Sequence, residues 1–242
     1  MHRVKQKLGR ASDFRDRCGE PDDAPRFRLL SDEKLRRIHE ASLEVLEDVG
    51  VKITTEAALR LLVDGGCTIT DENVVRIPRR VVEEAIESAP KRVVVYNREG
   101  AEALFLEGRN THFGLGITGI HFRDLESGER RDATLEDVGL ACRVADALPN
   151  LDLIATPLVV KATQEMPRKV VKQSEFEAML SNTTKPLMLL VDYVPILHDV
   201  LEMAAAVAGG AEALRERPFV LPYFNSVSPL IYNTDTLDNL LL

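Results

Sequence analysis

Residues 186–224, PLMLLVDYVPILHDVLEMAAAVAGGAEALRERPFVLPYF, decide how the rest of the chain is read. Residues 186–191 form an unbroken apolar run, as expected of a strand buried on both faces. Pro195 then opens a helix whose Leu197, Val200, Leu201, Ala204 and Ala208 share one face, and Gly209-Gly210 stops it. Residues 219–224 are the next apolar run, so strands recur at a spacing of roughly 35 residues, the length of a βαβ unit. Upstream, Thr134-Leu135-Glu136-Asp137 has the form that caps a helix start, and Val138, Ala141, Cys142 and Ala145 continue that helix on one face. A short apolar strand over 151–155, a helix over about 167–180 and an earlier strand over 112–115 extend the alternation. Downstream, Thr234 begins one more helix.

Strand and helix in strict alternation predict a parallel sheet, either doubly wound or closed into a barrel. A doubly wound nucleotide fold usually carries GxGxxG after its first strand. Gly114-Leu115-Gly116-Ile117-Thr118-Gly119 has that spacing, but no helix pattern follows it. The barrel is the better reading. A (β/α) barrel has eight strands, and about four are counted between His112 and Phe224. The fold class expected is therefore α/β, an incomplete TIM-type (β/α) barrel over residues 111–242, truncated at its first half.

Residues 29–110 read differently, as an N-terminal α+β extension. Ser31 is a good N-cap, Asp32 and Glu33 suit the first turn, and Gly50 is placed to end the helix. Leu35, Ile38, Val45, Leu46 and Val49 are expected to form its inward stripe. A second helix is expected from about Glu56 to Val63, a strand over 74–77, a helix from Pro78 to Ala89, and strands over 92–96 and 103–106. Residues 120–131 read as a hairpin around Gly128. Residues 1–28 lack periodicity and are expected to be a mobile tail.

A formal net charge of −8 argues against a general nucleic-acid role, because phosphate backbones call for a basic surface. No apolar run is long enough to span a bilayer, and the first 28 residues lack the apolar core of a signal peptide, so no membrane association and a cytoplasmic location are expected. Cys18, Cys67 and Cys142 are widely spaced with no CxxC, which favours reduced, mostly buried thiols. The histidines do not cluster: His39 and His198 lie in helices, while His112 and His121 bracket the first barrel strand and its hairpin. No metal site, Ser/His/Asp arrangement or P-loop is expected.

In parallel barrels the chemistry lies at the C-terminal ends of the strands. That rule selects Gly114, Gly116 and Thr118 after the first strand, Thr156 after the second, and Asp192 and Tyr193 after the third. After the fourth it selects Tyr223, Phe224, Asn225, Ser226 and Ser228. Asp192 either caps the helix near Pro195 or serves a site, since a carboxylate following an apolar strand must be paired, solvated or functional. Asn225 and Ser226 either donate to a substrate or shape the turn. Tyr193, Tyr223 and Phe224 either pack in the core or form an aromatic wall for an ammonium group. The substrate-binding candidates are Asp192, Tyr193, Tyr223, Asn225 and Ser226; the residues alone single out no catalytic group.

Several ordered segments resemble the trimethylamine methyltransferase family of corrinoid-dependent enzymes. They are residues 38–50 (IHEASLEVLEDVG), Ile77-Pro78, Ala89-Pro90 with Asn97-Arg98, and residues 128–134 (GERRDAT) with Asp137. Thr184-Lys185-Pro186 and residues 226–230 (SVSPL) complete the set. The resemblance implies an N-terminally extended barrel that takes a methyl group from a methylated amine. The acceptor it implies is the cobalt of a corrinoid (cobalamin) held by a separate corrinoid protein, with none bound directly by this chain. It also implies a family division between pyrrolysine-containing members acting on trimethylamine and others acting on quaternary amines such as glycine betaine. The pyrrolysine position falls in the later half of the family pattern, beyond Leu242, so the sequence assigns no particular amine.

Two other readings remain at this point. A non-catalytic remnant or partner-binding half-barrel module follows from the count of four strands, whose unpaired sheet edges invite homo-oligomerisation. A zinc-dependent methyltransferase barrel fits the fold but lacks a Cys/His ligand set. Little or no activity is expected of residues 1–242 alone.

Overall fold

The computed structural model describes residues 28–191 and 194–242. The tail expected over 1–28 therefore lies, but for its last residue, outside the described residues, as do Asp192 and Tyr193. In chain order the elements are α1 (Asp32–Glu44) with a π-turn (Val45–Val49), β1 (Val51–Ile53), α2 (Glu56–Asp64), β2 (Thr68–Ile69), β3 (Val74–Arg76) and α3 (Arg79–Ser88). Then come β4 (Arg92–Tyr96), β5 (Glu102–Glu107), β6 (His121–Arg123), β7 (Arg130–Asp132), α4 (Leu135–Ala147), β8 (Ile154–Ala155), α5 (Arg168–Asn182) and β9 (Leu187–Leu190). The chain continues through α6 (Val194–Ala208), α7 (Ala211–Glu216), β10 (Val220–Tyr223), β11 (Ile231–Tyr232) and α8 (Thr234–Leu240). The fold is mixed α/β. Among the described residues the strands form four small sheets, and none closes on itself.

The chain divides into two compact units. One comprises residues 28–91, 190–201 and 222–242. Its sheet has the order β11-β1-β3-β2, with β1 antiparallel to β3 and parallel to β11. Lys52 thus stands beside Ile231, a pairing that strands of two or three residues do not announce in sequence. Val51, Ile53, Ala58, Cys67, Val75 and Leu237 form the core of this unit, with Leu46, Leu59, Leu62, Ile77 and Val81 packed around them. Gly50 at φ 82° turns the chain from the π-turn into β1, and a Cβ there would meet the Val75 carbonyl oxygen at 2.5 Å.

Ser31 caps α1 as expected, accepting from the Lys34 amide. The burial of that helix departs from the expectation. Leu43 is its buried residue and Leu46 is half-buried, whereas Leu35, Ile38, Val45 and Val49 are all exposed. The helix seats the strip beside the expected stripe against this unit's core, and the π-turn adjusts the register so that Leu46 can accept from the Ile77 amide. Arg79 of α3 pairs with Glu40 of α1.

The second unit comprises residues 92–189 and 202–221. Hairpin β4–β5 packs Val95 and Leu104 against Leu153, Met188 and Leu221 of a parallel layer. That layer has the order β10-β9-β8, and residues 113–119 continue it beyond β8 through parallel bridges from Gly114 to Leu153 and from Gly119 to Leu158. The first expected strand is thus present as backbone pairing rather than as a regular ladder. The Leu187 amide donates to the Phe219 carbonyl at 2.8 Å, tying β10 to β9. The capping form at Thr134 is a complete capping box with Asp137. Both cysteines among the described residues, Cys67 and Cys142, are free and buried; burial pushes the Cys142 thiol up to about 12.

Candidate functional site

The two ends of the parallel layer carry different chemistry. At the N-terminal ends of its strands, the Phe113 amide donates to Asp152 at 3.0 Å, and His112 Nδ1 lies 3.6 Å from the same carboxylate. Asp146, near the end of α4, accepts from the Thr183 hydroxyl at 2.6 Å and the Thr184 amide at 3.2 Å. Lys185 Nζ donates to the carbonyls of Ala145 and Leu148, closing the C-terminal end of the same helix. Burial pushes the Lys185 ammonium below its usual range. These groups are spent on joining helix ends to strand starts.

At the C-terminal ends, Thr156 is buried and its amide donates to the Met188 carbonyl at 3.0 Å. Its own carbonyl accepts from Thr118, which sits at φ 56°. Beyond it, the Val160 amide donates to buried Glu175 of α5 at 2.8 Å, and Lys172 donates to the other oxygen of that carboxylate at 2.8 Å. This buried pair holds the loop that leaves β8. Hairpin β6–β7 rises beside it, with Ala133 bridged in parallel to Val160. Its turn is wound on Asp124, whose carboxylate accepts from the amides of Glu126 and Ser127. Arg131 grips Asp137 with two hydrogen bonds at 2.6 and 2.9 Å, and this guanidinium holds the carboxyl at about 2.

One group at this end faces outward. His121 stands opposite Asp132 in the hairpin register, with Nδ1 3.6 Å from the carboxylate, and Lys161 donates to the other oxygen at 2.7 Å. Lys161, and after it His121, hold the Asp132 carboxyl below the usual range. The chemistry offered is a carboxylate held between a lysine side chain and an imidazole. Sequence reasoning noted His121 without a partner. The signal that finds one is the hairpin register counted back from Gly128. Lys161 lies on a loop without periodicity and gives no such signal.

The candidates after the fourth strand lie together in the first unit. Tyr223 ends β10 half-buried, and its carbonyl accepts from the Val191 amide at 3.5 Å. Asn225 and Ser226 are exposed; the Asn225 carbonyl accepts from the Thr236 hydroxyl at 2.6 Å. Val227 and Ile231 then pair across a tight loop containing the cis Ser228–Pro229 bond. Asp192 and Tyr193 lie outside the described residues.

The segments that resemble known methyltransferases now have physical roles: a helix and its Gly50 turn, the Arg131–Asp137 clamp, the Lys185 cap and the loop over 226–230. A sequence model of the family described as trimethylamine methyltransferase (MTTB) matches residues 3–242. The chain belongs to that family. It is 36% identical over 202 residues to the trimethylamine methyltransferase MttB of Desulfitobacterium hafniense (strain DSM 10664 / DCB-2), covering 83% of this chain and 40% of that relative. It is 26% identical over 217 residues to a glycine betaine methyltransferase of Desulfitobacterium hafniense (strain Y51), covering 90% of this chain and 44% of that protein. A trimethylamine methyltransferase MttB1 of Methanosarcina mazei is 26% identical over 212 residues, or 84% of this chain and 41% of its own length. The chain thus spans less than half the length of these relatives.

Proposed function

We infer that this chain forms part of an enzyme that moves a methyl group from a methylated amine to a corrinoid carried by a partner protein. The observation that carries the reading is the family match over residues 3–242, with relatives named for trimethylamine and for glycine betaine. In the reaction the C–N bond breaks with its electron pair leaving on the amine, and the methyl carbon bonds to reduced cobalt, which supplies both electrons. A positively charged nitrogen makes that departure feasible. What remains for the protein is to hold the amine in line with its acceptor and to exclude water.

The proposed scaffold is a TIM-type barrel, with residues 111–242 as its first half and residues 29–110 as an extension before it. Strand order supports this. Residues 113–119, β8, β9 and β10 lie side by side in sequence order, whereas a doubly wound sheet reverses direction at its switch point. In this reading Tyr193 and Tyr223 offer aromatic faces to the cationic nitrogen, Asp192 offers it a negative charge, and Asn225 and Ser226 supply polar contacts.

The test is methyl transfer to reduced cobalamin by the full-length protein with its corrinoid partner. Trimethylamine, glycine betaine and related amines would be supplied in turn. Methylcobalamin formation with at least one is expected. No transfer from any of them, with the partner present and its cobalt reduced, overturns the assignment.

A further inference from the structure

The turn between β4 and β5 is wound on Asn97, whose side chain is only half used by it. Asn97 Oδ1 accepts from the Glu99 and Ala101 amides at 3.1 and 2.8 Å, and the Asn97 carbonyl accepts from the Gly100 amide at 2.9 Å. With the oxygen spent on the turn, Nδ2 is the end left to donate, and it has no acceptor among the described residues. The next residue is fixed in the same way. The Arg98 amide bonds the Thr184 carbonyl at 2.8 Å and its Nη1 donates to the Leu180 carbonyl, while the other guanidinium nitrogens have no acceptor among the described residues. Asn97 and Arg98 line a cavity of about 70 Å³ together with Glu99, Gly100, Arg217 and Phe219.

Arg217 is held in place without being hydrogen-bonded. Gly100 sits at φ 84°, and a Cβ there would lie 2.9 Å from Arg217 Nη1, so the guanidinium packs on the bare backbone of the turn. Its side chain has no hydrogen-bond or ion-pair partner among the described residues, and none of the carbonyls that end α6 accepts from it. Glu99 also lines the cavity, and neither guanidinium forms an ion pair with it among the described residues. Of the other charges on these segments, Glu212 and Arg215 pair with each other, while Glu102 and Glu216 do not line the cavity. The lining therefore offers two guanidiniums against one carboxylate, and more donors than the protein supplies acceptors. Planar guanidiniums match the oxygens of a carboxylate or phosphate in both charge and spacing.

We propose that this cavity binds a small oxyanion, a phosphate or a carboxylate, through Arg217, Arg98 and Asn97 Nδ2. Calorimetric titration of the full-length protein with inorganic phosphate, and separately with acetate, should show one saturable site in low-salt buffer. A Kd of about 1 mM or tighter is expected for one of the two, and the tighter binder assigns the ligand class. Arg217→Gln should weaken binding roughly tenfold or more, and Arg217→Lys less, because lysine keeps the charge without the fork. In anion-free buffer neither substitution should move the melting temperature, since the guanidinium bonds nothing in the protein. The bound anion should raise the melting temperature of the wild type and leave that of R217Q unmoved. No saturable binding of either anion up to about 10 mM overturns the proposal, including the case where a carboxylate from the rest of the chain already fills the cavity. An affinity indifferent to Arg217→Gln overturns it too, because the anion then sits elsewhere. So does a lower melting temperature for R217Q in anion-free buffer, which would make Arg217 a structural tie. None of these outcomes bears on methyl transfer, which is measured separately.

Discussion

The two ends of the short parallel layer both carry charged side chains and use them in different ways. At the N-terminal end, Asp146, Asp152 and Lys185 are committed to backbone amides and carbonyls that join helix ends to strand starts. At the C-terminal end, two clamps fix the loops, and the His121–Asp132–Lys161 group makes contacts mainly within itself. A polar group tied to backbone has its orientation set by folding. One that touches only other side chains keeps hydrogen-bonding capacity for something that arrives later. The difference separates stabilising chemistry from available chemistry on a single layer, in the same sense as the division between the two faces of a barrel.

The strongest way to break the contrast is at Glu175. Its carboxylate is buried, paired with Lys172 and bonded to the Val160 amide. Glu175→Ala leaves a buried ammonium and a buried amide without their acceptor, and a loss of roughly 3–5 kcal/mol is expected. Chemical denaturation of variant and wild type measures it. A loss below about 1 kcal/mol would mean that water already reaches this pair and that the loop after β8 is held by other contacts.

The next largest effect is a pH dependence at Asp137. Its carboxyl titrates at about 2 when folded, below the ordinary range, so it stabilises the fold at any pH above that range. As pH falls, the unfolded chain takes up the proton first. The contribution shrinks from about pH 5 downward and is gone once pH passes below about 2. Because Arg131 is partly open to solvent, roughly 1–2 kcal/mol is expected after screening. Denaturation at a series of acid pH values, repeated with Asp137→Asn, isolates it. The variant should show the shallower slope.

These clamps explain how much was legible in sequence. The Thr134 capping box was readable because both partners lie within four residues and the form is local. The β9–α6–β10 alternation was readable because the strands are apolar runs and the helix between them is long enough to show its period. The stripe on α1 is periodic yet exposed: periodicity gives the width of an apolar face, not what covers it. Strands β1, β2 and β11 escaped because two or three residues carry no alternation, and β11 finds β1 across nearly the whole described chain. The same limit applied to the site. Strand ends were located by rule, but Lys161 joins His121 and Asp132 only through the bridge that sets Ala133 beside Val160. A pairing across 27 residues leaves no local trace.

The smallest effect sharpens the comparison most. Asp132 and Asp152 are both carboxylates beside a histidine at 3.6 Å, one at each end of the layer. Asp152→Asn weakens an acceptor for the Phe113 amide in a half-buried setting and should lower stability by about 1 kcal/mol. Asp132→Asn removes partners that are themselves exposed, so the melting temperature should stay unchanged. In the full-length protein, the effect of Asp132→Asn should appear in methyl-transfer kinetics, where Asp152→Asn should be silent once differences in folded fraction are corrected. If both variants lower stability alike and neither alters transfer, the outward group at the C-terminal end is another structural tie. The contrast between the two ends would then be one of exposure only. A kinetic change confined to Asp132 would mean that the hairpin β6–β7 presents its carboxylate to the reaction, with Lys161 and His121 setting its charge and position.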